Sequence, residues 1–462
     1  MMRSRQQYGP AILASLVLLL AAWPWPGHAQ NPGAPWPVAH VDGQNSDRVP
    51  FALPPITQIA WHALADQSCY MGATLGSNGL VYVATGKGLG TSALSALNAT
   101  GQVVWQSAPY QQPNDLDSGA ILSAPAIDAA GDLYLTDSNQ FWAFHGDGRI
   151  KWVQQQPRDA KPALSAQFIG NSVVVVTGDG LVIARKRSDG SLAAPVLPLP
   201  RLAPLRAPRE DAGRLLPFAQ RIDPELSATV AGILFGGSWP VSNTPAVHPV
   251  LPRLYIQATT AKANKPQGST LFAVDLDEQA GFWHIAQQLQ MAGRSATSPA
   301  LSPDGATVYL AEANNTLVAV DAMSLERRFA VPLGHSILAS PTVGADGTIY
   351  VNAAAMVAID PRGAILWEQD YATLDPANRR HDSRADSVIT ASATRLYVVV
   401  NSGTKPFLVS LDPHSGAILD QPIPLPASSE TVISARPDAL FLTYLGLRTP
   451  GITGGGITML IP

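Results

Sequence analysis

The chain has 462 residues, a formal net charge of −4 and only 14% charged residues, which excludes the basic face that nucleic-acid binding needs. Cys69 is the only cysteine, so an internal disulfide is excluded and stability must come from packing. It reads as a buried free thiol, with a reactive thiol as the alternative. The abundant glycines and prolines fit a chain with many turns.

The first element is a leader. "MMRSR" is basic, "AILASLVLLLAAW" is apolar but short, and "GHAQ" offers a small-residue cleavage site after Ala29. Residues 1–29 are therefore expected to be a secretory signal, and the protein to be periplasmic or secreted. A membrane anchor is the alternative, but Pro24 and Pro26 break the helix and no later run has spanning length. No cysteine stands near the cleavage site to carry a lipid. Residues 30–55 read as an N-terminal extension, with "NSDRVPF" as a polar loop.

From residue 56 onward one unit recurs. "SPALSPDGATVYLAEANNTLVAVDAMSLERRF" and "SPTVGADGTIYVNAAAMVAIDPRGAILW" share Ser-Pro, an Asp-Gly turn, a Tyr-bearing apolar run, a second run ending in Asp, and an aromatic. The apolar runs have strand composition and the Gly pairs are hairpin signals. Each unit therefore reads as about four antiparallel strands over roughly 40–50 residues, the period of a propeller blade.

In chain order, the first unit closes at Trp105 and the second at Trp152. The third, around "VVVVTGDGLVIARKRSDG", has no Trp. The fourth closes near Trp283, the fifth at Phe329 and the sixth at Trp367. The seventh holds "RLYVVVNSG", and the eighth stops at Pro462 before its last strand. "ITQIAWHA" supplies that strand, because Trp61 lies one repeat length before Trp105. The expected fold is an all-β, eight-bladed propeller over 56–462, sealed by pairing of its two ends, which removes exposed edges. An irregular insertion spans about 197–242, and "DPELSATVAGILF" within it reads as a short helix or an extra strand.

The motifs "LVAVDAMSLERRF", "MVAIDPRGAILW", "LVSLDPHSGAIL", "LSALNATGQVVW" and "FWAFHGDGRIKW" resemble the pyrroloquinoline-quinone-type β-propeller repeat family. The resemblance covers essentially the whole mature chain and implies the periplasm of a Gram-negative cell. It implies either a quinoprotein dehydrogenase, an outer-membrane-assembly propeller or an exported propeller of other role. The dehydrogenases need a vicinal Cys-Cys pair, a Trp beneath the quinone and a Glu/Asn/Asp set for calcium. This chain has one cysteine, and its sequence places no such calcium set. The assembly lipoprotein needs a lipid-bearing Cys, and Ala29 and Gln30 are not that.

The expected role is therefore a binding or scaffolding module for a protein partner or a small ligand, acting as a monomer without a cofactor. Pyrroloquinoline quinone and calcium enter only under the alternative of a divergent dehydrogenase; a propeller hydrolase is a second alternative. Loops before the "SP"-type strand starts converge at one end of a propeller channel. In register they supply Asp117, Trp239, Arg294, His335, Asp386 and Glu430 as candidate ligand-binding residues, with His335 a possible acid or base. Solvated loop residues account for the same pattern, and no catalytic or metal residue is assigned. His381, Asp382 and Asp386 lie in one polar loop, "RRHDSRADS", and read as solvated. "TGKGLG" lacks the Lys-Ser/Thr ending of a phosphate loop. The repeated Trp residues read as wedges between blades.

Overall fold

The apolar runs become strands because β-branched and aromatic side chains pack best on a pleated surface buried on both faces. The computed structural model describes residues 33–69, 71–86, 93–107, 123–137, 140–158, 160–203, 239–262, 265–293, 297–312, 315–334, 337, 339–353, 355–371, 390–402, 405–426, 432–444 and 455–462. The segment "DPELSATVAGILF" and most of the insertion lie outside the described residues.

β1 (Gln58–Ala63) comes first. Blade 1 is β2 (Thr74–Leu75), β3 (Val81–Thr85), β4 (Ala93–Leu97) and β5 (Val103–Gln106). Blade 2 is β6 (Ala126–Ile127), β7 (Leu133–Thr136), β8 (Gln140–Phe144) and β9 (Ile150–Gln155). Blade 3 is β10 (Ala163–Ile169), β11 (Ser172–Thr177), β12 (Leu181–Lys186) and β13 (Leu197–Pro198). Blade 4 is β14 (Ala246–Val247), β15 (Arg253–Lys262), β16 (Lys265–Asp277) and β17 (Phe282–Met291). Blade 5 is β18 (Ala300–Leu301), β19 (Thr307–Glu312), β20 (Thr316–Asp321) and β21 (Arg327–Pro332). Blade 6 is β22 (Thr342–Val343), β23 (Ile349–Asn352), β24 (Ala355–Ile359) and β25 (Ile365–Asp370). Blade 7 is β26 (Thr390–Ala391), β27 (Leu396–Ser402), β28 (Lys405–Leu411) and β29 (Ile423–Pro424). Blade 8 is β30 (Ser434–Arg436), β31 (Ala439–Tyr444) and β32 (Gly456–Ile461).

Each blade is a four-stranded antiparallel sheet, innermost strand first in sequence. Blade 8 takes its outer strand from the other end of the chain, in the order β1-β32-β31-β30, with Trp61 opposite Met459. The eight-bladed ring and its sealing strand are as the repeat pattern predicts. No helix among the described residues is long and apolar enough to cross a membrane.

The outer seams between blades reuse one device. In β5 the ladder slips by one residue, so Trp105 stands opposite Ala96 and Val103 opposite Leu97. A bulge of this kind re-aims a side chain. Trp105 then lies flat on Gly148 of the next blade and donates its indole N–H to the Gly146 carbonyl at 3.1 Å. A Cβ at Gly148 would stand 2.7 Å from the indole, and its φ of 89° favours glycine independently. Trp61 lies in the same way on Gly101, Trp152 on Gly190, Phe329 on Gly363 and Trp367 on Gly416. These aromatics are wedges between blades.

The seam from blade 4 to blade 5 differs. Sequence places the closing aromatic of the fourth unit at Trp283. In the structure the same slip puts Gln287 opposite Ala273, in the docking place. Trp283 stands opposite Leu276 and packs with the apolar cluster shared with blade 3. Where the turns of blades 1, 2, 3, 6 and 7 have a docking glycine, blade 5 has Leu325 in a left-handed conformation, φ 57°, with its side chain buried against blade 4. The aromatic-on-glycine pair is replaced by a glutamine and a leucine.

Candidate functional site

The centre of the ring is occupied by the chain's own N-terminal residues. Of the residues at 30–55 that sequence reads as an extension ahead of the ring, those from Trp36 onward run around the hub. Trp36 pairs with Leu75 of blade 1, and the Ile127 N–H of blade 2 donates to Pro37. The Gln167 side chain of blade 3 donates to the Asn45 side chain. Val247, Leu301 and Val343 of blades 4, 5 and 6 donate to the carbonyls of Gly43, Gln44 and Ser46. Ala391 of blade 7 donates to Asp47, and Val49 donates back to Ala391. Trp36, Val41, Val49, Leu53 and Ile56 join an apolar cluster with Ile433 and Ala435 of blade 8. Residues 36–56 therefore form a strap that ties together the innermost strands.

The strap meets the second residue of these short inner strands, next to the turn leading to the second strand. It thus fills one end of the channel. The opposite end, where the chain enters each inner strand, is the end at which the six candidate residues are expected.

Three non-glycine residues of the strap, Val41, Asn45 and Asp47, adopt left-handed backbone conformations with φ of 64°, 54° and 53°. Such geometry is unfavourable for a valine in particular and persists only where the surroundings over-determine it. Asn45 earns its place through its carboxamide, which donates to the carbonyls of Thr244 and Pro299 while accepting from Gln167.

Charge is buried here as well. The His40 Nδ1 lies 2.9 Å from the Asp47 carboxylate, and both side chains are almost wholly buried. Removal from water pushes the Asp47 carboxyl up to about 6, against the opposing pull of His40 and with a smaller push from Asp42. Burial also raises Asp42, opposed by hydrogen bonds from Ser46 and by the nearby Arg48. Arg48 reaches the carbonyls of Val343 and Gly344, so it ties the strap to blade 6.

Of the six candidates, Trp239 is described. Its ring lies against Gly178 of blade 3, where a Cβ would meet the indole at 2.6 Å. Two residues on, the Val241 N–H donates to the Gly178 carbonyl. The half-buried indole thus joins blade 3 to the start of blade 4 at the loop end of the channel. Asp117, Arg294, His335, Asp386 and Glu430 lie outside the described residues, as do His381 and Asp382.

Cys69 is fully buried at the junction of blades 1 and 8, its N–H bonded to the Tyr444 carbonyl. Burial pushes its thiol up to about 12, which keeps it protonated and unreactive at neutral pH.

The strongest departure from the repeat lies on the perimeter. β15, β16 and β17 have ten, thirteen and ten residues, whereas the second to fourth strands of the other blades have two to seven. The strap and the lengthened blade 4 are the two features that simple repetition does not provide.

The family model described as outer membrane protein assembly factor BamB matches residues 57–202 and 259–435. A search of curated proteins finds no match. Among solved structures, BamB from Moraxella catarrhalis aligns with a TM-score of 0.50 at 14% identity, over 90% of this chain and 97% of that one. The quinohemoprotein alcohol dehydrogenase of Comamonas testosteroni aligns with a TM-score of 0.60 at 12% identity, over 94% and 81%. The quinohemoprotein alcohol dehydrogenase ADHIIG of Pseudomonas putida HK5 gives 0.62 at 13% identity, over 93% and 80%. At these identities the likenesses show the fold alone.

Proposed function

From the premise that this chain belongs to the family of outer membrane protein assembly factor BamB, we propose that it is an exported scaffold that binds a protein partner in the periplasm. The observation that carries this reading is the strap. It fills one end of the channel with the chain's own residues and ties the inner strands of the blades to one another. The hub is thereby committed to rigidity, and a rigid ring presents its perimeter and loops as fixed binding surfaces.

Two observations favour this over a divergent quinone dehydrogenase. The family model that matches is the assembly-factor one. The single thiol is buried and held protonated, so it serves neither as half of a vicinal disulfide nor as a nucleophile. The reading needs no cofactor and expects the leader at residues 1–29 to direct export. Any small ligand would enter at the loop end beside Trp239.

The test has two arms. Loss of the gene in its host should weaken the outer-membrane permeability barrier, and the full-length chain should restore it. Purified mature protein should not oxidise alcohols in a dye-linked assay after incubation with pyrroloquinoline quinone and calcium. Tight quinone binding with turnover, and an intact barrier in the deletion strain, would replace the scaffold by a dehydrogenase.

A further inference from the structure

We infer that the outer edge of β17 is a docking edge for an extended, uncharged segment of a partner protein, which would add to blade 4 as a fifth strand. The inference rests on the scaffold reading and specifies where and how the partner binds.

An outer strand carries a row of backbone N–H and C=O groups directed away from its sheet. Natural proteins blunt such edges with short strands, charges or proline, since an unguarded edge pairs with other chains. This ring guards most of its edges in that way. β13 and β29 have two residues each, and both end in proline. β9 carries Lys151, β21 carries Arg327, Arg328 and Pro332, and β25 carries Glu368 and Asp370. β1 and β5 are uncharged at neutral pH but span only six and four residues.

β17 has none of these three guards and keeps only the one-residue slip that β5, β9, β21 and β25 also carry. It reads FWHIAQQLQM over ten residues, without Lys, Arg, Asp, Glu or Pro. Among the described residues no strand pairs with its outer side, since blade 4 ends in the order β14-β15-β16-β17. Gln287 and Gln288 are exposed, and so is Phe282 at 48% of its surface. On β5, β9 and β25 an aromatic pins the outer strand to the next blade, whereas on β17 that place is held by the exposed Gln287.

The chemistry of the edge selects its occupant. A row of backbone donors and acceptors is complemented along its whole length only by another extended chain, as in recognition by strand addition. The absence of charge on β17 offers a charged strand no partner for the charge it would have to desolvate, which favours a neutral strand. Phe282 offers one exposed apolar contact, whereas Ile285 and Leu289 pack inward against the clusters shared with blades 3 and 5 and keep the strand in place. A neutral extended strand meets these requirements.

The experiment uses the full mature chain and a fluorescein-labelled ten-residue peptide of alternating Thr and Val. Fluorescence anisotropy should show saturable binding. The double variant Gln287→Lys/Gln288→Lys, which adds edge charges at two exposed positions, should weaken it at least tenfold. The same peptide N-methylated at every second residue should not bind, since methylation removes the backbone donors. Glu368→Lys on β25 should leave binding unchanged. No anisotropy change at millimolar protein, or equal binding by the lysine variant, overturns the proposal. So does a wild-type dimer in sedimentation that the lysines dissolve, for then the edge serves a second copy. In cells, partner crosslinks that persist in the lysine variant would refute the edge alone. Their absence from every surface position would refute the scaffold reading itself.

Discussion

The hub and the perimeter hold the same ring together by opposite means. On the perimeter, one device is repeated five times: an outer-strand aromatic laid on a glycine of the next blade's turn. At the hub, one segment without any repeat touches the blades in turn. The perimeter is modular, so a dock can be lost or exchanged at a single seam, as between blades 4 and 5. The hub is not modular, because each strap residue sits against a different blade. Repetition distributes stability among neighbours, whereas the strap concentrates it in about twenty residues.

The sharpest way to break the contrast is to remove the strap. Trp36, Val38, Val41 and Val49 are all buried there. At about 1.5–3 kcal/mol for each fully buried large side chain, their loss sums to roughly 6–12 kcal/mol. Deleting residues 36–50 should therefore abolish cooperative unfolding at moderate temperature, or lower the urea midpoint severely. An unchanged midpoint would mean that the outer docks alone hold the ring.

A single dock should cost less. Trp105→Ala removes an indole that is stacked on Gly148, hydrogen-bonded to Gly146 and 6.0 Å from the ring of Tyr82. The expected loss is about 2–4 kcal/mol, below a fully buried Trp because the ring is part-exposed. Gly148→Ala should cost about 1–2 kcal/mol from its left-handed backbone alone, plus displacement of the indole. If both substitutions leave denaturant midpoints unchanged, the docks are ornament and the strap carries the ring.

The contrast also explains what could be read in advance. The eight units and the sealing strand at Trp61 were legible because each blade repeats one apolar and turn pattern. The docks were legible for the same reason, since a Gly turn followed by an aromatic recurs. Trp283 misleads because "AGFW" imitates that pattern, while the long β16 and β17 move the docking place four residues on, to Gln287. The strap has no periodicity to find. Its hydrogen bonds reach seven different blades and its apolar side chains the eighth, and its left-handed Val41 runs against local preference, so only the assembled ring specifies it. Trp239 stands out in sequence for its flanking Gly and Pro; its ring packs on Gly178 of blade 3.

The odd seam can be converted into an ordinary one. Gln287→Trp alone should destabilise, because Leu325 fills the space of the docking glycine. Leu325→Gly alone should also destabilise, by leaving a cavity. The double variant should recover, with a favourable coupling of about 1–2 kcal/mol in a double-mutant cycle. Additive losses would show that the seam between blades 4 and 5 has a different geometry.

The smallest expected effect reports on the hub through pH. Asp47 is held at about 6 by burial, above the ordinary carboxylate value of 3.8. The folded protein therefore binds this proton more tightly than the unfolded chain does. Stability from Asp47 must then fall as pH rises through 6 and be fully present only below 3.8. Between pH 7 and pH 5 the gain is about 1 kcal/mol on acidification, the reverse of a carboxylate held in a strong surface ion pair. Asp47→Asn should remove that slope while retaining an oxygen that accepts from the His40 ring. The measurement is the difference in urea midpoint between wild type and Asp47→Asn at pH 7 and pH 5. Trp105→Ala, far out on the perimeter, serves as the control and should shift both midpoints equally. A slope that survives Asp47→Asn would place the proton elsewhere in the strap, at Asp42 first, since burial raises it too.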